Sequence, residues 1–196
     1  MNDAINQAAL DQLFDKARTH NKWQSRDVPD AILKQIVDHM KWGPTSANCS
    51  PSRIIFVKSP LAKERLKPHL SPGNVEKTMA APATAIIAYD LKFYEYLPRL
   101  YPAADAKSWF VGKKDHADTT AFRNGSLQGG YFILAARALG LDCGPMSGFN
   151  NSTLDAEFFA NTNVKSNFLC NLGYGDPEGV HPRAPRFSFD EMATIV

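Results

Sequence analysis

The sequence predicts a single domain over residues 1–196, of the α/β or α+β class, and three observations carry this reading. The 196 residues are enough for one buried core and few for two domains. Hydrophobic residues make up 44% and charged residues 21%, ordinary globular usage that excludes collagen-like, disordered and low-complexity chains. Short runs rich in β-branched residues alternate with longer stretches of helical periodicity, which excludes a helical bundle.

Ile5, Ala9, Leu10, Leu13, Phe14 and Ala17 recur at spacings of three and four, a helical stripe with Asp3 as candidate N-cap. Pro29 opens a second helix with the stripe Ile32, Leu33, Ile36, Val37 and Met40, and Gly43-Pro44 stops it. Residues 45–52 form a polar loop, and Ile54–Val57 read as a buried strand. Ser59-Pro60 starts a helix to about Leu70, a shorter one covers 74–81, and Thr84–Tyr89 is the second strand. Residues 90–118 are mixed, aromatic-rich and broken by Pro98 and Pro102. Thr119 or Thr120 caps the longest helix, which ends at Gly140. Its small-residue edge, Gly125, Ser126, Gly129 and Gly130, calls for another helix or a partner backbone at close range. A helical glycine otherwise costs about 1 kcal/mol relative to alanine. After Cys143–Phe149 come a short helix near 153–160 and a strand over Phe168–Tyr174. In the Pro- and Arg-rich tail, Ser188 and Glu191 have capping-box spacing.

Charge and motifs narrow the function. Lys plus Arg total 22 and Asp plus Glu 20, a formal charge of +2, which argues against a dedicated nucleic-acid binder but leaves room for a local cationic pocket. No stretch approaches the ~18 apolar residues of a membrane span. Met1–Leu10 lacks a basic n-region, so no signal peptide is expected. Cys49, Cys143 and Cys170 are too sparse for a disulfide framework or a zinc site, and the expected compartment is a reducing cytoplasm. Gly173, Gly175 and Gly179 are spaced too widely for a dinucleotide loop, and Gly144-x-x-Ser147-Gly148 is not a nucleophile elbow. What remains is a set of polar clusters at element ends: Arg18, His20 and Lys22; Ser46 and Asn48; Asn74 and Lys77; Arg183 and Arg186. Two arginines and a lysine brought around one oxyanion would make a strong phosphate site.

Five stretches in this order carry a resemblance: Arg18-x-His20-x-Lys22, Gly43–Asn48, Asn74-x-x-Lys77, Leu139–Phe149, and Leu172–Gly175 with its Arg-rich tail. The chain resembles the FMN-dependent nitroreductase family along nearly its whole length. Ala17–Asn21, Met40–Pro51, Ser108–Phe110 and Gly144–Phe149 also look like the malonic semialdehyde reductase (3-hydroxypropanoate dehydrogenase) subgroup of bacterial pyrimidine degradation.

The resemblance implies an α+β fold with a central, mainly antiparallel sheet flanked by helices. It further implies an intertwined homodimer with FMN at the subunit interface and the 119–140 helix at the dimer core. By carry-over, Arg18, His20, Lys22, Arg183 and Arg186 hold the FMN phosphate, His20 standing where many relatives have serine. Asn74 and Lys77 address the pyrimidine side, where a cation stabilises the negative charge of the reduced ring. Pro44, Thr45, Ser46 and Asn48 reach the flavin from the other subunit. Pro145, Met146, Ser147 and Gly148 lie against its opposite face, with the Ser147 N–H donating to N5 in a position where many relatives carry glutamate.

The implied reaction is ping-pong. NADH or NADPH gives hydride to the flavin, and a small-molecule substrate then takes it, with no catalytic side chain required. The subgroup implies malonic semialdehyde reduced to 3-hydroxypropanoate, for whose carboxylate Arg53, Arg99 and Arg123 are candidates. The alternatives are a broad NAD(P)H nitro- or quinone reductase and a non-enzymatic flavin-binding module. In such a family an insert like 90–118 often forms a substrate lid, with plain core packing of Tyr94, Tyr96, Tyr101, Trp109 and Phe110 as the equal alternative, and no nucleic-acid or membrane partner is expected.

Overall fold

The structure, a computed structural model, describes residues 3–196. The first helix, α1 (Gln7–Leu10), is capped by Asn6, whose side chain accepts from the Ala9 N–H at 2.9 Å, so Asp3 is not the cap. It continues only as a π-helical turn, Asp11–Asp15. Helix α2 (Asp30–Met40) follows Pro29 and buries Leu33, Ile36 and Met40. Strand β1 (Ser52–Val57) leads through α3 (Pro60–Leu66) and α4 (Pro72–Ala80) to β2 (Ala83–Asp90). The mixed segment holds a 3-10 turn (Phe93–Tyr96), the single-turn helix α5 (Leu97–Leu100) and a second 3-10 turn (Ala106–Trp109). Then come α6 (Lys114–Ala138), β3 (Asp142–Met146), α7 (Asn151–Phe158), β4 (Val164–Gly173) and the tail helix α8 (Phe189–Met192).

The four strands form one sheet in the order β1-β2-β4-β3, with every pairing antiparallel. That makes the architecture α+β, and the helices lie on both faces because both faces of the central strands are apolar. Ala83, Ala85 and Ile87 of β2 join Ile36, Met40, Phe132 and Ala136 of α2 and α6 in one core. Ile86 and Ala88 point to the other side, against Leu66, Leu154 and Leu169. This is the period-2 alternation of a strand buried on both faces. A third cluster, with Cys49, Phe93, Tyr94, Leu97, Phe110 and Ala121, shows that 90–118 carries its own small core on the first turns of α6.

Two sequence expectations change. Helix α6 begins at Lys114, before Thr119 and Thr120, and Thr120 is buried within it. The glycines meet the chain's own sheet: a Cβ on Gly125 would lie 2.8 Å from Tyr89 Cβ, and one on Gly129 would lie 2.5 Å from Phe168 Cε1. Gly130 alone faces open space, while Ser126 Oγ accepts from Asn167 Nδ2 at 2.9 Å. The helix stops as expected, with Gly140 at φ +79, a left-handed position. In the tail the Glu191 carboxylate accepts from both the N–H and the hydroxyl of Ser188, at 2.8 and 2.9 Å.

Candidate active site

Beside the outer edge of β3, the segment after the π-helical turn meets the end of α6 and the tail around a cavity of about 370 Å³. Arg18, Arg137, Arg183 and Arg186 line it, with Thr19 and Asn21. A parallel bridge between Thr19 and Cys143, with the His20 N–H donating to Cys143 O at 3.1 Å, lays this segment along β3. Backbone carbonyls hold the guanidinium groups. Arg18 Nη2 donates to His181 O at 2.5 Å, Arg137 Nη1 to Leu13 O at 2.8 Å, and Arg183 Nη2 to Asp15 O at 2.7 Å. Arg186 Nη1 donates to the carbonyls of Ala184 and Pro185, each at 3.0 Å. Among the described residues none of the four forms an ion pair.

His20 and Lys22 lie elsewhere. The buried His20 ring has Nε2 3.4 Å from Asp142 Oδ1 and stacks over Gly175, where a Cβ would come 2.0 Å from Nδ1. The Lys22 stem lies against Gly179. Ala17, Arg18, Thr19 and Asn21 line the cavity, while His20 turns toward Asp142 and Gly175 and Lys22 toward Gly179. A period-2 reading from Arg18 selects His20 and Lys22, so no local pattern in this stretch signals Thr19 and Asn21.

A second cluster continues along β3. Asn74 Nδ2 donates to Gly148 O at 2.7 Å, the Ser71 N–H donates to the same oxygen at 3.0 Å, and Thr78 Oγ1 donates to Met146 Sδ at 3.5 Å. These bonds stitch α4 to the end of β3, Asn74 to Gly148 and Thr78 to Met146, with Lys77 between them on α4. A Cβ on Gly148 would meet Asn74 Nδ2 at 2.5 Å, so only glycine allows this approach. The Lys77 carbonyl accepts from Trp23 Nε1 at 3.1 Å and Asn171 Nδ2 at 3.3 Å. The far end of α4 is held by buried Lys63, whose ammonium donates to the carbonyls of Thr78, at 2.6 Å, and Ala81. Burial lowers the Lys63 pKa to about 8.

The third cluster is remote within the chain. Tyr131 Oη donates to Pro44 O at 3.0 Å, and the Ser46 N–H donates to Asn124 Oδ1 at 2.9 Å. Asn48 Nδ2 donates to Leu100 O at 2.8 Å, and Thr45 Oγ1 accepts from the Ser50 N–H at 3.1 Å. Ala47, Asn48 and Ser50 have positive φ, of 49, 50 and 37. This strained loop leads into β1, and β1 and β3 are opposite edges of the sheet. Three strand spacings of ~4.8 Å, about 14 Å, separate those edges. The structure therefore lays the first two clusters along β3, the arginines by Cys143 and Asn74 by Gly148, and leaves Pro44, Thr45, Ser46 and Asn48 at the other edge.

The nitroreductase family model matches residues 15–174. The chain belongs to the nitroreductase family. A Burkholderia lata protein, named as a candidate NADH dehydrogenase/NAD(P)H nitroreductase, is 63% identical over 191 residues, 97% of this chain and 98% of its own. One of the same name from Cupriavidus pinatubonensis is 60% identical over 189 residues, covering 95% and 96%. The fold is shared with a candidate nitroreductase from Exiguobacterium sibiricum in complex with FMN, at TM-score 0.84 and 17% identity over 100% and 99% of the chains. It is also shared with CLA-ER, an enone reductase of gut-bacterial fatty acid saturation, at TM-score 0.83 and 16% identity over 98% and 100%.

In this nitroreductase-family chain the cysteines are poorly placed to act as nucleophiles. Burial pushes the Cys49 thiol up to about 11, and a hydrogen bond with Cys143 that favours the neutral thiol, together with burial, raises Cys170. Among the described residues no group of three or more His, Cys, Asp or Glu is placed to hold a metal ion, and no helix is long and apolar enough to cross a membrane. Arg137 was not singled out from the sequence. It occupies the last turn of a long helix, where a basic residue reads as a partner of the helix dipole.

Proposed function

We propose that the chain is an FMN-dependent NAD(P)H oxidoreductase acting as an intertwined homodimer. The observation that carries this reading is the row formed along β3. Four arginines without carboxylate partners sit at one end of it, and Asn74, Lys77 and the Pro145–Gly148 segment sit further along. The residues fit FMN. Among the described residues buried Arg137 Nε has no partner, a gap that suits an anion's oxygen. Gly144 and Gly148 let His20 O and Asn74 Nδ2 approach the backbone closely, which fastens the Arg18–Lys22 segment and α4 to the two ends of the row. Arg18, Arg183 and Arg186 would hold the phosphate, with His20 and Lys22 behind the wall, setting Thr19 and Asn21. Asn74 and Lys77 would take the pyrimidine side. Pro145, Met146, Ser147 and Gly148 would lie along the ring, the Ser147 N–H toward N5.

When bound, FMN supplies hydride acceptance and donation at N5. Lys77 stabilises the negative charge that reduction leaves on the pyrimidine side. No side chain acts as a nucleophile, and placement does the rest.

The dimer reading rests on separation. One protomer does not bring its own 44–48 loop to its own β3 row, whereas the partner subunit's Pro44, Thr45, Ser46 and Asn48 would complete it. Among the described residues no strand pairs with the outer edge of β1, which lies beside an apolar groove of about 640 Å³ lined by Leu33, Val37 and Phe56. In the tail Phe187, Phe189, Met192 and Ile195 are exposed, which suits a segment that packs on a second copy.

For the second substrate, a nitro compound or a quinone is the better supported reading, because relatives near 60% identity carry the NAD(P)H nitroreductase name. Malonic semialdehyde is the narrower reading and rests on motif likeness alone. Its carboxylate would need a free cation. Arg53 is spent on Asp90, at 2.9 Å, and on the carbonyls of Ser50, Pro51 and Ser52. Arg99 and Arg123 remain, exposed beside Leu100 and Asn124, which hold the 46–48 loop.

The test is the purified protein. A yellow dimer whose extracted pigment is FMN, bleached by NADH or NADPH without oxygen, supports the reading. A colourless protein that takes up no FMN ends it, and a yellow one that neither nucleotide bleaches is a binding module. Steady-state rates with nitroaromatic, quinone and malonic semialdehyde substrates then choose among acceptors.

A further inference from the structure

We propose that Arg137 is a direct ligand of the flavin phosphate and a determinant of FMN preference over riboflavin, an inference that rests on the cofactor reading above. Arg137 lines the same cavity as Arg18, Arg183 and Arg186, and no Asp or Glu lines it. Only one corner of its guanidinium is used: Nη1 donates to Leu13 O at 2.8 Å. Nε is buried and has no partner, one of three such side-chain atoms among the described residues. A buried donor without an acceptor is costly, and native structures keep few of them. Nε and Nη2 make no hydrogen bond among the described residues, and an edge of this kind grips a phosphate with two parallel bonds once an oxygen reaches it.

The side chain is also held in place before any ligand arrives. Its backbone carbonyl accepts from Gln12 Nε2 at 2.6 Å, and its Nη1 reaches Leu13, so two neighbouring residues of the π-helical turn Asp11–Asp15 clamp it. Irregular turns of this kind are common at functional sites. A dipole partner at the end of α6 would need only a charge near the last carbonyls. It would not need a clamped rotamer, a cavity position or an unspent fork.

The experiment compares dissociation constants for FMN and riboflavin, read by flavin fluorescence, in the wild type, Arg137→Gln and Arg137→Lys. Riboflavin has the same ring and ribityl chain without the phosphate. The expected result is a loss of FMN affinity of about tenfold or more in Arg137→Gln, with riboflavin changed by less than about twofold. Arg137→Lys should fall between, because it keeps the charge and loses the fork. Inorganic phosphate should compete with FMN less well in Arg137→Gln than in the wild type. Equal weakening of FMN and riboflavin would show a clamp for the π-helical turn only, and unchanged FMN affinity would remove Arg137 from the site; either result overturns the proposal. If Arg137→Gln does not fold, Arg137→Lys decides alone by the ratio of its FMN and riboflavin losses. A wild type that binds both flavins equally would instead sink the phosphate assignment of the whole cavity.

Discussion

The two edges of the sheet treat their cations in opposite ways. At the β1 edge, beside the apolar groove, Lys58 Nζ is 2.8 Å from Asp30 and 3.6 Å from Asp27, and it also donates to Val28 O. Its charge is cancelled within the chain. At the β3 edge, Arg18, Arg137, Arg183 and Arg186 bond to neutral carbonyls. A carbonyl orients a guanidinium without neutralising it, so the charge stays available to an anion. The number of cations is therefore a poor guide to a binding site. What separates the two edges is the identity of the acceptors.

That contrast can be broken or sharpened by substitution. The largest effect belongs to the β3 edge: Arg18→Ala combined with Arg186→Ala should weaken FMN binding by about 100-fold or more, since each lost charge-assisted bond is worth ~1.5–3 kcal/mol. Fluorescence titration checks this, and equal loss of riboflavin binding would refute the phosphate role. Next, Lys77→Met should lower the two-electron potential of bound flavin by about 30–60 mV, the equivalent of one charge-assisted bond. An anaerobic titration against reference dyes reads it, and a rise would contradict the placement of Lys77 by the pyrimidine.

Lys63 supplies the third case, a cation bonded to carbonyls but sealed from any ligand. Its folded pKa is near 8 against 10.5 for an ordinary lysine. Between those values the unfolded chain holds the proton that the folded chain has released, so stability should rise with pH across that window. Urea unfolding should show a gain of about 1–3 kcal/mol from pH 8 to 10.5, absent in Lys63→Met. The smallest effect is expected at the other edge. Lys58→Met should shift stability by less than about 0.5 kcal/mol and leave flavin binding unchanged, because exposed ion pairs contribute little. Denaturant unfolding and the same fluorescence titration measure both.

Much of this was legible in local pattern. The stripe from Ile32 to Met40, the β-branched run Ile54–Val57 and the stop at Gly140 all mark elements where the structure has them. The misreadings share a cause. Thr119 and Thr120 look like caps because threonine caps helices, yet α6 starts at Lys114, where the aromatic core of 90–118 packs against its first turns. The glycines of α6 suggest a partner chain, yet Tyr89 and Phe168 fill the space above two of them. Residues 90–118 have no period to read because their order comes from a local cluster in which Phe93 and Phe110 meet edge to face.

By itself the sequence determined the elements, the family and the kinds of side chain available for an anion and a ring, since these follow from periodicity, breakers and motif order. Tertiary structure alone decided which cations are spent and which are free, that Thr19 and Asn21 replace His20 and Lys22 on the cavity wall, and that Arg137 joins Arg18 from more than a hundred residues away. The physical reason is that an acceptor's identity depends on long-range pairing. Whether a guanidinium meets a carboxylate or a carbonyl is settled only when the helix end, the π-helical turn and the tail arrive at the same edge of the sheet.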